Sequence, residues 1–202
     1  GELTGRAAGQ LVPLGDAACV IGSHPAWHTL VTSMFLHASW FHLISNLWFL
    51  WIFGDNIEDA FGRLGFLAFY LASGLAAAGA EILATPGSTL PMVGASGAVS
   101  GVMGAYIVRY PRVPVQTLLF LGIFITRVRV PAYVMLGYWF VLQVLGGLPQ
   151  LFGDTAGAGV AFWAHVGGFA TGAVVAALVP RGRARPAGRR AGRSGESSPW
   201  LP

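Results

Sequence analysis

Lysine is absent from the 202-residue chain, and all twelve basic side chains are arginine. Charge of either sign is scarce. Charged residues make up 10% of the chain, against about 25% in an ordinary soluble domain. So few charged groups cannot cover a water-facing surface, which excludes a soluble enzyme and a chain disordered throughout. Half of the arginines fall in 181–193, in a tail and not on a domain face, so the formal net charge of +4 gives no nucleic-acid footprint. Cysteine occurs once, at Cys19, which excludes an internal disulfide framework. No signal-peptide pattern opens the chain at Gly1, and the reading is of a piece of a longer protein.

What the chain has is apolar. Hydrophobic residues reach 54%, with seven Trp and 29 Gly, and mean hydropathy is +0.63. Trp suits the interfacial belts of a bilayer, and Gly lets membrane helices approach closely. The composition predicts an all-α polytopic membrane protein. Residues 1–28 hold no apolar run long enough to span. Apolar stretches follow at about 36–53, 66–84, 94–109, 131–147 and 160–179. The first stops at Asp55, Glu58 and Asp59, the second at Thr85-Pro86-Gly87. The piece at 113–125 is too short to span and contains Pro114; with its β-branched content and Gly122 midway it fits a short hairpin on the membrane surface. Residues 181–202 are rich in Arg, Gly, Ser and Pro and read as a disordered tail.

Arginine sets the expected orientation. The 55–65 turn, the 109–131 segment and the tail carry eleven of the twelve Arg, so the positive-inside rule makes that side, including the C-terminus, cytoplasmic. The first visible span then runs from outside to inside. The expected organisation is an outer loop at 1–35 preceded by a further helix, a membrane domain at 36–180, and the tail at 181–202. Five transmembrane helices are present of an expected six.

Polar groups inside a bilayer are costly, so each is a functional candidate. They are His42, Asn46, Ser96 and His165, with Ser45, Ser73 and Ser100 less costly. Counted from Asp55, Arg109 and Arg181, the residues His42, Ser96 and His165 lie about 20, 20 and 24 Å above the Arg-rich side at 1.5 Å per residue. Three polar groups on three helices therefore share one depth. The third stretch is too short to cross, so it begins within the membrane, where irregular backbone must be buried in protein or line a cavity. Gly94-Ala95-Ser96-Gly97 places a serine on a glycine-flanked turn at a helix N-terminus, where free N–H groups favour negative charge. Alone, that motif also fits a small-residue packing turn with an N-cap Ser. Gly97, Gly101 and Gly104 form one stripe, and His165, Gly168 and Gly172 another. Packing the two together brings Ser96 within reach of His165, the arrangement that activates a serine for acyl transfer. His42 and Asn46, four apart, point to one spot as oxyanion donors. No carboxylate lies at this depth, since Glu81 is near the outer end of its helix and Asp154 is in a loop; a Ser–His dyad is favoured over a triad.

In this order and spacing, His37-Ala-Ser-Trp-Phe-His42-Leu-Ile-Ser-Asn46, then Gly94-Ala-Ser96-Gly, then Ala164-His165-Val-Gly-Gly168-Phe-Ala-Thr-Gly172, the chain resembles the rhomboid intramembrane serine proteases across about residues 29–180. The resemblance implies a rhomboid-like helical bundle in which Ser96 is nucleophile and His165 general base. It implies an oxyanion hole of His42, Asn46 and the Ser96 N–H, with His37 in a supporting role beside the glycines. It implies cleavage of transmembrane protein substrates near their outer end, with the lipid bilayer as the other partner, no nucleic acid, no metal and no cofactor. The implied location is the bacterial plasma (inner) membrane, multi-pass. The sequence departs from the family pattern at Ser100, where many members carry an aromatic that stacks on the catalytic His, and at Trp27-His28, the nearest match to a Trp-Arg pair.

Two other classes compete. A rhomboid-like protein that only binds membrane clients typically loses the Ser or the His, and this chain keeps both. A metal or proton-relay site on His37, His42 and His165 is disfavoured because residues five apart diverge by about 140° on a regular helix. Cys19, His24 and His28 lack a fourth ligand and read as loop residues.

Overall fold

A computed structural model describes residues 11–14, 17–20, 27–86, 88, 91–121, 124–152 and 159–180. The tail at 181–202, His24 and Asp154 lie outside the described residues, and of Cys19 only the backbone is described.

Five long helices carry the architecture. Helix α1 (Trp40–Phe61) starts where Ser39, in extended conformation, accepts a hydrogen bond from His42 N at 3.1 Å through its Oγ, a side-chain N-cap. Its apolar run ends near 53, yet the helix continues two turns further. Asp55 and Asp59 are exposed while Phe53 and Ile57, on the inward side, are fully buried. The carboxylates end the apolar stretch without ending the helix. Gly62, at φ 74°, turns the chain directly into α2 (Arg63–Ala84). Helix α3 (Ser96–Arg109) follows a loop whose Gly94 N–H donates to Ser33 O at 2.9 Å. Helices α4 (Ala132–Leu151) and α5 (Phe162–Leu178) complete the set.

Among the described residues two antiparallel hairpins accompany the helices. In the first, β1 (Leu11–Leu14) pairs with β2 (Ala17–Val20) in the stretch read as plain loop. In the second, β3 (Pro114–Leu121) pairs with β4 (Phe124–Pro131), Pro114 opposite Pro131. That hairpin was expected over 113–125 only. It runs on because Val128 and Val130 are half-buried while Arg127 and Arg129 are exposed, a two-residue period that passes straight through the arginines.

Helix α3 is the centre of the bundle: every residue from Gly97 to Tyr106 is buried. Around it the helices turn large apolar side chains outward. Trp40, Phe41, Trp51, Leu64, Leu83, Tyr138, Phe152 and Leu178 are 67–87% exposed. An apolar exterior around a core of small residues fits lipid as the solvent. By length and composition α2 and α4 are long and apolar enough to cross a membrane, while α5 is apolar but shorter. Helix α3 has 14 residues, about 21 Å of rise against a hydrocarbon core of about 30 Å.

The closest contact joins α3 to α5 backbone to backbone. A Cβ on Gly168 would collide with Gly97 O, one on Gly172 with Gly101 O, and one on Gly104 with Phe169 O. The two glycine stripes therefore face each other. The same glycines also receive α2, Gly97 meeting Ala77 and Gly101 meeting Ser73. At the opposite end of the bundle, Arg109 Nη2 donates to Val179 O at 2.6 Å and its guanidinium lies 5.7 Å from the centre of the Phe61 ring.

Gly172→Ala forces a methyl group into a helix contact that has no space for it, and overpacking of this kind costs roughly 1–3 kcal/mol. Thermal unfolding in detergent should shift down accordingly. Gly137→Ala, at a position with nothing within 4 Å of the new methyl, should leave the midpoint unchanged or raise it slightly.

Candidate active site

The site grows from the start of α3. Ala95 is the N-cap and Ser96 the first helical residue. The serine does not cap its own helix, so its hydroxyl is free for another partner. Ser96 Oγ lies 2.8 Å from His165 Nε2. The loop is held from the N-terminal side: Ala95 N donates to His37 Nε2 at 3.4 Å, and Gly94 N to Ser33 O. Gly94 has φ 118°, a region closed to most L-residues. A Cβ there would lie 2.5 Å from His42 Cε1 and 2.8 Å from His42 Nε2. Glycine at 94 therefore does two things, allowing the turn and admitting the His42 ring beside it.

His42 and Asn46 share one face of α1. Asn46, buried, donates from Nδ2 to His42 O at 2.9 Å. The amide nitrogen has a second hydrogen left to donate. The His37 and His42 rings meet edge-on with centroids 5.2 Å apart. This corrects the helical-angle argument that set them apart, because His37 precedes α1 and is not on the helix with His42.

His165 sits in the first turn of α5, one residue after the buried Ala164. The Ala164 N–H donates to Glu81 Oε2 at 2.9 Å, and Thr85 Oγ1 donates to Glu81 Oε1 at 3.2 Å. Glu81 thus fills the acceptor role at the N-terminus of α5, where a negative charge is favourable. Across the ring from Ser96, His165 Nδ1 lies 2.8 Å from Gln143 Oε1, on α4. Trp139, one turn before Gln143, has its ring centre 5.7 Å from that of His165 at 41°. Neither Gln143 nor Trp139 was singled out from sequence. The signal for Gln143 was there: it is 12 residues beyond Pro131, about 18 Å of rise, the same level as Ser96.

Ser100 is buried, and its Oγ donates to Ser96 O at 2.6 Å. A Cβ on Gly168 would be 3.4 Å from Ser100 Cβ, so Ser100 borders the glycine contact. The ring against His165 comes from α4 instead. Ser45 Oγ donates to Phe41 O within α1, and Ser73 is fully buried on α2 against Gly101.

The Rhomboid domain family matches residues 24–182. The chain belongs to the rhomboid family. Among its rhomboid relatives, "Rhomboid-like protein 11, chloroplastic" of Arabidopsis thaliana is 47% identical over 77 residues, 38% of this chain and 27% of that protein. "RHOMBOID-like protein 12, mitochondrial" of the same plant is 32% identical over 178 residues, 78% of this chain and 48% of that protein. "Rhomboid protease GluP" of Bacillus subtilis (strain 168) is 34% identical over 97 residues, 48% of this chain and 18% of that protein. The chain spans about half or less of the length of these relatives. A rhomboid domain makes it a membrane protein.

Gly94→Ala should disturb the turn before Ser96 and displace His42, while leaving the glycine contact of α3 with α5 intact. The expected outcome is a fall of at least tenfold in the rate at which a fluorophosphonate labels Ser96, a factor that corresponds to about 1.4 kcal/mol. The thermal midpoint should fall as well, since alanine is strained at this φ; an unchanged labelling rate would show that the turn is not strained by a side chain.

Proposed function

We propose that the protein is an intramembrane serine endopeptidase that cuts transmembrane protein substrates near their outer end, with Ser96 as nucleophile and His165 as general base. The observation that carries this reading is the 2.8 Å approach of Ser96 Oγ to His165 Nε2, between two residues 69 apart in sequence, at a helix N-terminus set in an apolar bundle. A serine hydroxyl is a weak nucleophile until a base takes its proton. In the proposed reaction Ser96 Oγ attacks the scissile carbonyl carbon as its proton passes to His165 Nε2. The oxyanion that forms is met by the free N–H groups at the start of α3, with side-chain donation from His42 and Asn46. Collapse breaks the C–N bond, the imidazolium protonates the departing amine, and water then hydrolyses the acyl-serine by the reverse proton route. The chemistry uses no metal and no cofactor. His37, Gly94, Gly97, Gly168 and Gly172 support the site through the turn and the helix contact.

The proposed orientation puts the end bearing Arg109, the β3–β4 hairpin and the C-terminus in the cytoplasm, with residues 1–35 and the mouth of the site outside. The arginine distribution supports this. The proposed host is a bacterial plasma membrane; the B. subtilis relative is consistent with it, while the relatives named as chloroplastic and mitochondrial do not favour it.

The purified protein in detergent, given a model transmembrane substrate, should cleave it and take a fluorophosphonate label. Ser96→Ala should abolish both, and His165→Ala should reduce labelling sharply. His42→Ala and Asn46→Ala should each slow cleavage, since one oxyanion donor is commonly worth ~10²–10³ in rate. Cleavage that survives Ser96→Ala in a preparation free of host proteases would refute the dyad. If the folded parent neither cleaves nor labels, a client-binding role replaces the enzymatic one.

Topology is tested separately with Ser88→Cys and Arg112→Cys, each in a Cys19→Ser background. A membrane-impermeant thiol reagent added outside should modify position 88 and spare position 112. The opposite pattern would invert the orientation.

A further inference from the structure

We infer that Gln143 is the positioning residue of the site: through its amide oxygen it holds His165 in the tautomer that leaves Nε2 bare for the Ser96 proton. The inference rests on the Ser96–His165 reading. Gln143 Oε1 lies 2.8 Å from His165 Nδ1. An amide oxygen only accepts, so the hydrogen in this contact is on Nδ1. A neutral imidazole carries one N–H, and which nitrogen bears it is set by the partner of the other. With the hydrogen on Nδ1, Nε2 faces Ser96 Oγ as an acceptor at 2.8 Å. With the hydrogen on Nε2, the ring would donate to the serine and could not act as base.

Orientation comes from the same helix. Trp139 and Gln143 are four residues apart on α4, hence on one face. The Trp139 ring lies beside His165 and also 6.1 Å from Phe169, while the Gln143 amide meets the ring edge. Helix α4 therefore supplies both restraints on the imidazole. On α3, the position that could have supplied a ring is Ser100, turned into the glycine contact.

The experiment has two arms. The first is independent of activity. Protein labelled with ¹⁵N-histidine, in mildly alkaline buffer where imidazoles are neutral, is measured by ¹⁵N NMR, with His165 identified by the signal lost in His165→Ala. Nδ1 should be the protonated nitrogen in the parent, and Gln143→Met should raise the population with the hydrogen on Nε2. A bare Nδ1 in the parent overturns the inference. The second arm is kinetic. Gln143→Met keeps the length of the side chain and removes the acceptor, and it should lower kcat roughly tenfold, the worth of one hydrogen bond, with KM within about twofold and the thermal midpoint little changed. A Gln143→Met protein with the parent kcat also overturns it. If that variant fails to fold, the parent spectrum decides alone. Failure of the protease reading is distinguishable, because it removes cleavage and labelling from the parent while the tautomer is still read directly.

Discussion

Everything at the site depends on how closely α3 and α5 approach. In lipid there is no hydrophobic force between helices, so association relies on close packing of small residues and on polar contacts. Here the packing has reached backbone contact, with the carbonyls of Gly97 and Gly101 filling the space where Gly168 and Gly172 have no side chain. The return contact, Gly104 against Phe169 O, locks the vertical register. Ser96 is one residue before Gly97 and His165 three before Gly168, so the register that seats the glycines also sets the Ser96–His165 distance.

A helix contact fixes distance, but the ends of the helices must be fixed too. At the site end, Glu81 holds the start of α5 through Ala164 N, and His37 and Ser33 hold the loop that starts α3. Met34 is buried, and a Cβ on Gly74 would run into its thioether, so the segment ahead of α1 is packed into the bundle and not merely draped over it. At the far end Arg109 ties α3 to the last residues of α5 and to α1 at once, and Tyr110 Oη donates to Asn56 O at 3.2 Å. Apart from Asn56 O, which lies within α1, these ties engage a helix terminus, where backbone groups lack intrahelical partners. Where α3 meets α5, the middle of the bundle is glycine against backbone, with Phe53, Ile57, Met103 and Leu136 filling the rest of the core.

The helices and the facing glycine stripes were legible because both follow from periodicity, which a single sequence contains in full. So was the shared depth of Ser96 and His165, since rise per residue needs no tertiary knowledge. Three features lie outside the expectations from sequence. The continuation of α1 past Asp55 depends on which side of the helix the carboxylates occupy, and counting apolar residues ignores sides. The pairing of β1 with β2 comes from a short, Gly- and Pro-containing stretch with no alternation to flag it. Gln143 has the right depth but is an uncharged amide, and a third partner for the histidine is ordinarily expected among carboxylates.

A carboxylate at the depth of Ser96 would carry a charge into a low-dielectric region, where its cost is several kcal/mol unless paired. An amide offers the same acceptor atom with no charge. On the proposed mechanism Ser96, His165 and Gln143 are then neutral at rest, the nearby Glu81 carboxylate being engaged by Ala164 N, and the imidazolium and the oxyanion form together in the transition state. Opposite charges that arise as neighbours in a poorly screened site stabilise each other strongly. Each is also met by dipoles already in place: the start of α3 at the oxyanion, the Gln143 carbonyl at the imidazolium. A permanent anion beside Nδ1 would favour the imidazolium at all times, including before the serine has given up its proton. On the proposed mechanism a neutral acceptor orients the base without pre-charging it.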